Sequence, residues 1–376
     1  MWVSEKPFCD RLYRERPCQG DMMKQLSRLV AVTLFTLLFG GCGKPLLPYS
    51  LETPPLTLMP ASLVKMEDGR GRFRELYCAV QKDHGATLPY DRPCEEVVLR
   101  LEGEPNLTGK LVVIGQPKLK LRFLIVPGLY NDCTTATKAF SYALAHVEQY
   151  GYWTADVRVS GWSSCEHNAT MIRDAVLAAD LSPDEKVVLV GYSKGAPDIL
   201  QALVDHPQLV PKVAAVVSIA GSIGGSALTD SIPEPYREMM GHNLFIKCPR
   251  GVGDPVASIQ RSTRQKWLSR NRLPASVKYF SLASFAERQN ISAVLQSGYD
   301  LLAWIDPRND SQLIFYDQLI PGCTLLGYVN GDHWAVAMPF LQDKIAPALI
   351  DRNEFPREVL LEAVVRFVEE KLMGSN

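Results

Sequence analysis

Lys186-Val-Val-Leu-Val190, followed by Gly191-Tyr-Ser193-Lys-Gly195-Ala196, is the stretch that decides the architecture of this chain. A short β-branched run of this kind reads as a buried strand. It stops at a Gly-x-Ser-x-Gly pentapeptide, and a helical pattern carrying Ile199, Leu200, Leu203 and Val204 begins directly behind it. Strand, glycine-flanked serine and helix in immediate succession describe a sharp turn that lifts the serine hydroxyl above the end of a sheet. The positions two before and two after the serine are crowded by that strand and helix. Both are glycine, Gly191 and Gly195.

Working outward, Leu121-Arg-Phe-Leu-Ile-Val126 is a second apolar strand, and it ends at Pro127-Gly128-Leu129-Tyr130-Asn131. A helix is expected next, capped by Thr134 or Thr135, with Phe140, Ala143, Leu144 and Val147 on one face and Gly151 at its end. Trp153 to Val159 reads as a strand, and Asn168 as the cap of a helix burying Met171, Ile172, Ala175 and Val176. Downstream, Val213 to Ala220 is a strand ending at Gly221-Ser-Ile-Gly-Gly-Ser226, a turn that lacks the Gly-Lys-Ser/Thr ending of a phosphate loop. The pattern loosens over about 227–275, where only Leu244 to Lys247 is strand-like, as an inserted cap would read. Val277 to Ala283 and Cys323 to Val329 are strands, Ile291 to Ile305 is helical, and a last helix opening at Pro356 buries Leu360, Ala363, Val364 and Phe367. Nearer the start, Arg72 to Val80 is expected to be helical, and Glu95 to Leu101 and Lys110 to Gly115 to be strands. Strands alternating with helices at these lengths predict an α/β chain with a doubly wound, mostly parallel sheet.

With 376 residues the chain can bury a large core, and Lys+Arg 40 against Asp+Glu 41 leaves no basic surplus to recruit nucleic acid. Lys24, Arg28, the apolar run Leu29 to Phe39 and Gly40-Gly41-Cys42 describe an export signal. Leu38-Phe39-Gly40-Gly41-Cys42 resembles a bacterial lipoprotein signal, although Phe39 stands where Leu, Val or Ile is usual. The resemblance implies cleavage before Cys42, lipidation of its thiol and a place in the bacterial cell envelope, on the periplasmic side or at the outer membrane. A plain secretory peptide or an N-terminal anchor is the alternative. Translation is expected to start at Met22 or Met23. Residues 1–41 are then upstream extension and signal, 42–60 a proline-rich tether, and 61–376 the folded domain. Among the remaining cysteines, proximity in sequence and at strand ends suggests Cys78–Cys94, Cys133–Cys165 and Cys248–Cys323, with free buried thiols as the alternative. No Cys-x-x-Cys or paired His accompanies them, and neither metal nor cofactor is implied.

A serine hydroxyl needs a base within hydrogen-bond reach and a third group to orient that base. Of the histidines after Ser193, His206 stands at a helix end, His242 in the irregular segment, and His333 behind the last strand in Gly331-Asp332-His333-Trp334-Ala335. Strand order, glycine-flanked serine and late histidine together resemble the α/β-hydrolase superfamily, from about Glu95 to the C-terminus. The resemblance implies chain order Ser, acid, His, with His333 as general base. For the acid, Asn309-Asp310-Ser311 resembles the Asn-Asp-Gly turn of many esterases, with Ser311 in place of glycine. Asp310 is favoured, Asp306 is its main rival, and Asp254 stands further off. Asp332 is read as holding its loop. Oxyanion donors are implied at the amides of Lys194 and of Leu129, with Tyr130 next; the Lys194 side chain is expected to be exposed. These residues predict a membrane-anchored serine hydrolase of carboxylic, lipidic acyl esters. A thioesterase or peptidase with the same triad, or a non-catalytic binding lipoprotein, are the alternatives.

Overall fold

A computed structural model describes residues 65–133, 137–230, 232–241 and 248–374. Cys42, the tether, Thr134, Thr135, His242 and the strand-like Leu244 to Lys247 lie outside the described residues. The strands are β1 (Glu67–Asp68), β2 (Val98–Leu99), β3 (Leu121–Val126), β4 (Trp153–Asp156), β5 (Lys186–Tyr192), β6 (Val213–Ile219), β7 (Lys278–Phe285) and β8 (Thr324–Asn330). The helices are α1 (Arg70–His84), α2 (Cys94–Val97), α3 (Ser141–Gln149), α4 (Cys165–Ala178), α5 (Gly195–Asp205), α6 (Ala227–Asp230), α7 (Glu234–Gly241), α8 (Pro255–Ser258), α9 (Arg261–Arg270), α10 (Gln296–Ala303) and α11 (Arg357–Met373). One sheet runs in the order β1-β8-β7-β6-β5-β3-β4, parallel throughout, with β2 antiparallel on β8.

Both faces of the sheet are covered, which is why its strands are apolar runs rather than alternating ones. On β5, Val188 and Val190 join Phe73, Val147 and Phe367 from α1, α3 and α11. Val187 and Leu189 point the other way, to Ile172, Ile199 and Leu203 of α4 and α5. The chain leaving β3 therefore goes to one face through α3, and the chain leaving β5 goes to the other through α5. Between the carboxyl ends of these two neighbours the fold leaves a crevice.

Several local expectations are corrected. Residues 94–97 form a helical turn, leaving only Val98–Leu99 as β2, and 110–115 form no strand. The alternation that suggested a strand is real, because Val112 and Ile114 pack on the core while Leu111 and Val113 are exposed. The missing ingredient is a neighbouring strand. Arg72 donates instead to the carbonyls of Lys110 and Leu111 (2.7 and 3.3 Å), and Arg366 to that of Gly115 (2.8 Å). Glu369 accepts from the amides of Lys118 and Leu119. Ser164, not Asn168, caps α4, its Oγ accepting from His167 N at 3.3 Å. Trp153–Asp156 is a shorter strand than expected, and 291–305 opens with one 3₁₀ turn, Ala293–Leu295, before α10.

Cys78 and Cys94 are joined as expected, but Cys133 bonds Cys248 and leaves Cys165 and Cys323 as buried free thiols. Proximity in sequence misleads here because Cys323 is buried in the core on the face of the sheet that α4 and α5 cover, and Cys165 at the start of α4 lies against Asp198. The loop after β3 instead meets Trp162, Cys248 and Val256. Burial pushes both free thiols up to about 12, which keeps them protonated and unreactive. Among the described residues, no helix is long and apolar enough to cross a membrane.

Candidate active site

β5 ends at Tyr192, and the next residue, Ser193, takes φ +54°, a left-handed conformation that costs a non-glycine residue. Its surroundings enforce that geometry. Ser193 N donates to Ile219 O at 3.3 Å, and Ser222 N donates to Ser193 O at 3.0 Å. The flanking glycines are required by contact. A Cβ on Gly191 would stand 2.5 Å from Ala196 Cα, and one on Gly195 would stand 2.1 Å from Val126 O. Gly128 faces the serine from β3's end, where a Cβ would lie 2.7 Å from Ser193 Cβ.

His333, in the loop after β8, reaches the same point. Its Nε2 is 2.9 Å from Ser193 Oγ, and its Nδ1 is 2.7 Å from Asp310 Oδ2. Asp310 is fully buried, and both of its oxygens are held: Oδ1 accepts from the amides of Gln312 and Leu313, and Oδ2 also accepts from Ser284 Oγ at 2.9 Å. Tyr192 donates its hydroxyl to His333 O (2.8 Å), and its ring stacks on the imidazole at 5.2 Å. Burial pushes that hydroxyl well above its ordinary pKa, so it remains a donor. A serine hydroxyl, an imidazole and a buried carboxylate in this relay have the arrangement needed to generate an alkoxide-like nucleophile at neutral pH.

The rival carboxylates are engaged elsewhere. Asp306 forms a two-pronged pair with Arg308 (2.7 and 2.9 Å). Asp254 caps α8 and pairs with Arg237, and Asp332 accepts from the amides of Ser292, Trp334 and Ala335, as expected of a loop-holding group. His206 directly follows α5. Tyr130 N donates to Gly161 O at 2.9 Å, whereas no described acceptor takes the amides of Leu129 and Lys194.

The side chain of Lys194 departs from expectation. It is 1% exposed, with Nζ 2.7 Å from Asp198 Oδ1, while Asn168 donates to Asp198 Oδ2 at 2.8 Å. A lysine and an aspartate at i, i+4 in a helix's first turn carried that signal. Ser284 and Gln318, which donates to Ser284 O, were also missed, because an isolated polar residue in an apolar stretch has no spacing to read.

The serine and imidazole open into a cavity of about 460 Å³. Leu129, Tyr130, Trp334, Met338 and Phe340 supply its apolar wall, and Lys138, Asp156 and Arg158 also line it. Burial raises the Asp156 carboxyl above its ordinary range, against the opposing pull of Lys138. None of the cavity's residues forms a metal-binding set. Elsewhere, His84, His146 and Glu362 bring three ligand-type atoms within 4.8 Å of one another.

Residues 122–337 match the model of a family described by the alpha/beta hydrolase fold. The chain belongs to the α/β-hydrolase family. Among solved structures, this α/β hydrolase is similar to a metagenomic carboxyl esterase at 42% identity and TM-score 0.78, covering 85% of this chain and 97% of that one. A Bacillus licheniformis lipase in mature form is 20% identical with TM-score 0.50, covering 68% of this chain and 95% of that one. A Staphylococcus hyicus lipase is 12% identical with TM-score 0.53, covering 70% and 100%. The last two likenesses concern the fold alone. No curated protein matches the sequence.

Proposed function

We propose that this α/β hydrolase is a serine esterase that cleaves carboxylic esters through an acyl-enzyme. The relay from Asp310 through His333 to Ser193, with contacts of 2.7 and 2.9 Å, is the observation that carries this reading. In it, His333 Nε2 takes the Ser193 proton as Oγ attacks the ester carbonyl. The amides of Leu129 and Lys194 receive the developing oxyanion, and losing one such donor costs about 3–4 kcal/mol of barrier. The imidazolium then protonates the departing alcohol, and water repeats the sequence to release the acid. Asp310 keeps the Nδ1 proton in place and stabilises the imidazolium. The likeness to a carboxyl esterase and the apolar wall of Leu129, Trp334, Met338 and Phe340 support an acyl ester of lipidic type. Residues 227–275 are proposed to cover the cavity, a reading supported by Ile232 and Met240 packing on the same cluster, Trp162, Cys248 and Val256, as Leu129 and Tyr130.

A fluorophosphonate probe tests the chemistry. One adduct per chain, located on Ser193 and lost in Ser193→Ala, is the expected result. An unlabelled wild-type protein would mean that the fold serves binding rather than catalysis. We place the protein at the bacterial envelope, anchored through Cys42, on the strength of the segment Leu38 to Cys42. Cys42→Ala is expected to move it from the membrane to the soluble fraction, and retention at the membrane would point to an uncleaved anchor.

A further inference from the structure

On the face of the sheet covered by α1, α3 and α11, each of these helices contributes one side chain to a single point. His84 closes α1, His146 lies in α3, and Glu362 lies in α11. Nδ1 of His84 and Nε2 of His146 stand 2.8 and 2.7 Å from the same oxygen, Glu362 Oε2. The other oxygen, Oε1, is taken by Arg366 through Nε (2.8 Å) and Nη2 (2.7 Å). The Glu362 side chain is fully buried, His146 is nearly so, and His84 forms the edge toward solvent at 12% exposure.

We propose that His84, His146 and Glu362 form a binding site for one zinc-type divalent metal ion. Two imidazoles and one carboxylate, with a fourth position open, are a donor set that zinc uses. The side of the site toward His84 supplies the open position. The ring orientations are fixed independently of the carboxylate. Tyr150 stacks on His84 at 4.3 Å with 16° between the planes, and meets His146 edge-on at 5.0 Å. The outer nitrogen of His84, Nε2, is 3.2 Å from Asp83 Oδ2, the backing carboxylate that metal-bound histidines use to hold their other proton. Proton balance needs only tautomer exchange. With both rings neutral, the proton facing Glu362 moves to Nε2 on His84, where Asp83 accepts it, and to Nδ1 on His146, so each lone pair turns inward. Bonds of about 2.0–2.1 Å in tetrahedral array separate ligand atoms by roughly 3.3 Å, so the two nitrogen–oxygen distances must open by about half an ångström while the two nitrogens, up to 4.8 Å apart, draw together. Arg366 already balances Glu362, so an anion such as hydroxide at the fourth position is favoured over neutral water.

The test uses chelator-treated protein and Co²⁺ as a spectroscopic stand-in for Zn²⁺. The expected result is uptake of one Co²⁺ per chain with the intense visible band of a tetrahedral ion, displaced by Zn²⁺. Zn²⁺ well above its dissociation constant should raise Tm by about 3 °C or more. His84→Ala and His146→Gln should each weaken uptake more than about tenfold, since even losing a hydrogen-bond partner of a metal ligand costs that much. His84 ends its helix at the solvent edge, so His84→Ala is the variant that keeps the fold, verified by the far-UV spectrum of the metal-free protein. No stoichiometric uptake by the wild type, or uptake unchanged in both histidine variants, overturns the proposal. The second outcome includes binding at His333. Because the readout is metal uptake rather than ester turnover, this result stands apart from that of the fluorophosphonate experiment.

Discussion

Asp310→Asn is expected to lower kcat for ester hydrolysis by about 10³–10⁴, with KM changed little, following the precedent of other serine–histidine–aspartate enzymes. The direction follows from the hydrogen bonds around the side chain. Oδ1 of Asp310 accepts from two backbone amides, Gln312 N at 3.0 Å and Leu313 N at 2.7 Å. In asparagine only the carbonyl oxygen can occupy that position, so the NH₂ is forced to the side of His333 Nδ1. A donor there requires Nδ1 to accept, which places the imidazole proton on Nε2, facing Ser193 Oγ across 2.9 Å. The ring then lacks the lone pair that should receive the serine proton. Side-chain size hardly changes, so binding is preserved while proton transfer fails. Asp306→Asn, which loses only a contact with Arg308, is expected to stay within a few-fold of wild type. The reverse ranking, with Asp306→Asn crippled and Asp310→Asn active, would remove Asp310 from the relay. Both follow from initial rates on a chromogenic acyl ester.

Asp198→Ala is expected to destabilise the protein by about 3–5 kcal/mol, read from urea denaturation at pH 7. The Lys194 ammonium is buried at 1% exposure, and Asp198 is the charge that compensates it. Removing the carboxylate leaves that cation in an apolar setting and also takes one of the two acceptors of Asn168 Nδ2, which keeps only Ser160 O. The paired change Lys194→Met with Asp198→Leu removes both charges and should recover most of the loss, because replacing a whole buried pair is far less damaging than breaking it. A cost below about 1 kcal/mol for Asp198→Ala would show that water reaches Lys194 freely.

What could be read from the residues alone follows from how local each signal is. The β5 strand and its serine turn were legible because Val187 to Val190 and the two glycines are consecutive. His333 and Asp310 were legible because each follows a recognisable strand or sits in a recognisable turn. Lys110 to Gly115 was misread because alternation records which side chains face inward, whereas a strand also needs a partner for its backbone. Arg72, Arg366 and Glu369 fill that need from distant helices. The Cys133–Cys248 bond and the meeting of His84, His146 and Glu362 depend on which elements become neighbours. That is a property of the sheet order and not of any spacing.

The Cys133–Cys248 bond joins the loop after β3 to the segment between β6 and β7. Leu129 and Tyr130 on one side, and Ile232 and Met240 on the other, share the packing around that bond. These two parts of the chain have lost the freedom to separate; they translate together or stay still. A substrate too bulky for the resting cavity must therefore displace another part of its lining, such as Trp334, which packs edge-on against Phe340 at 5.2 Å. Covalent tethering of one part of the lining thus assigns the compliance of the cavity to a pair of aromatic rings elsewhere in it.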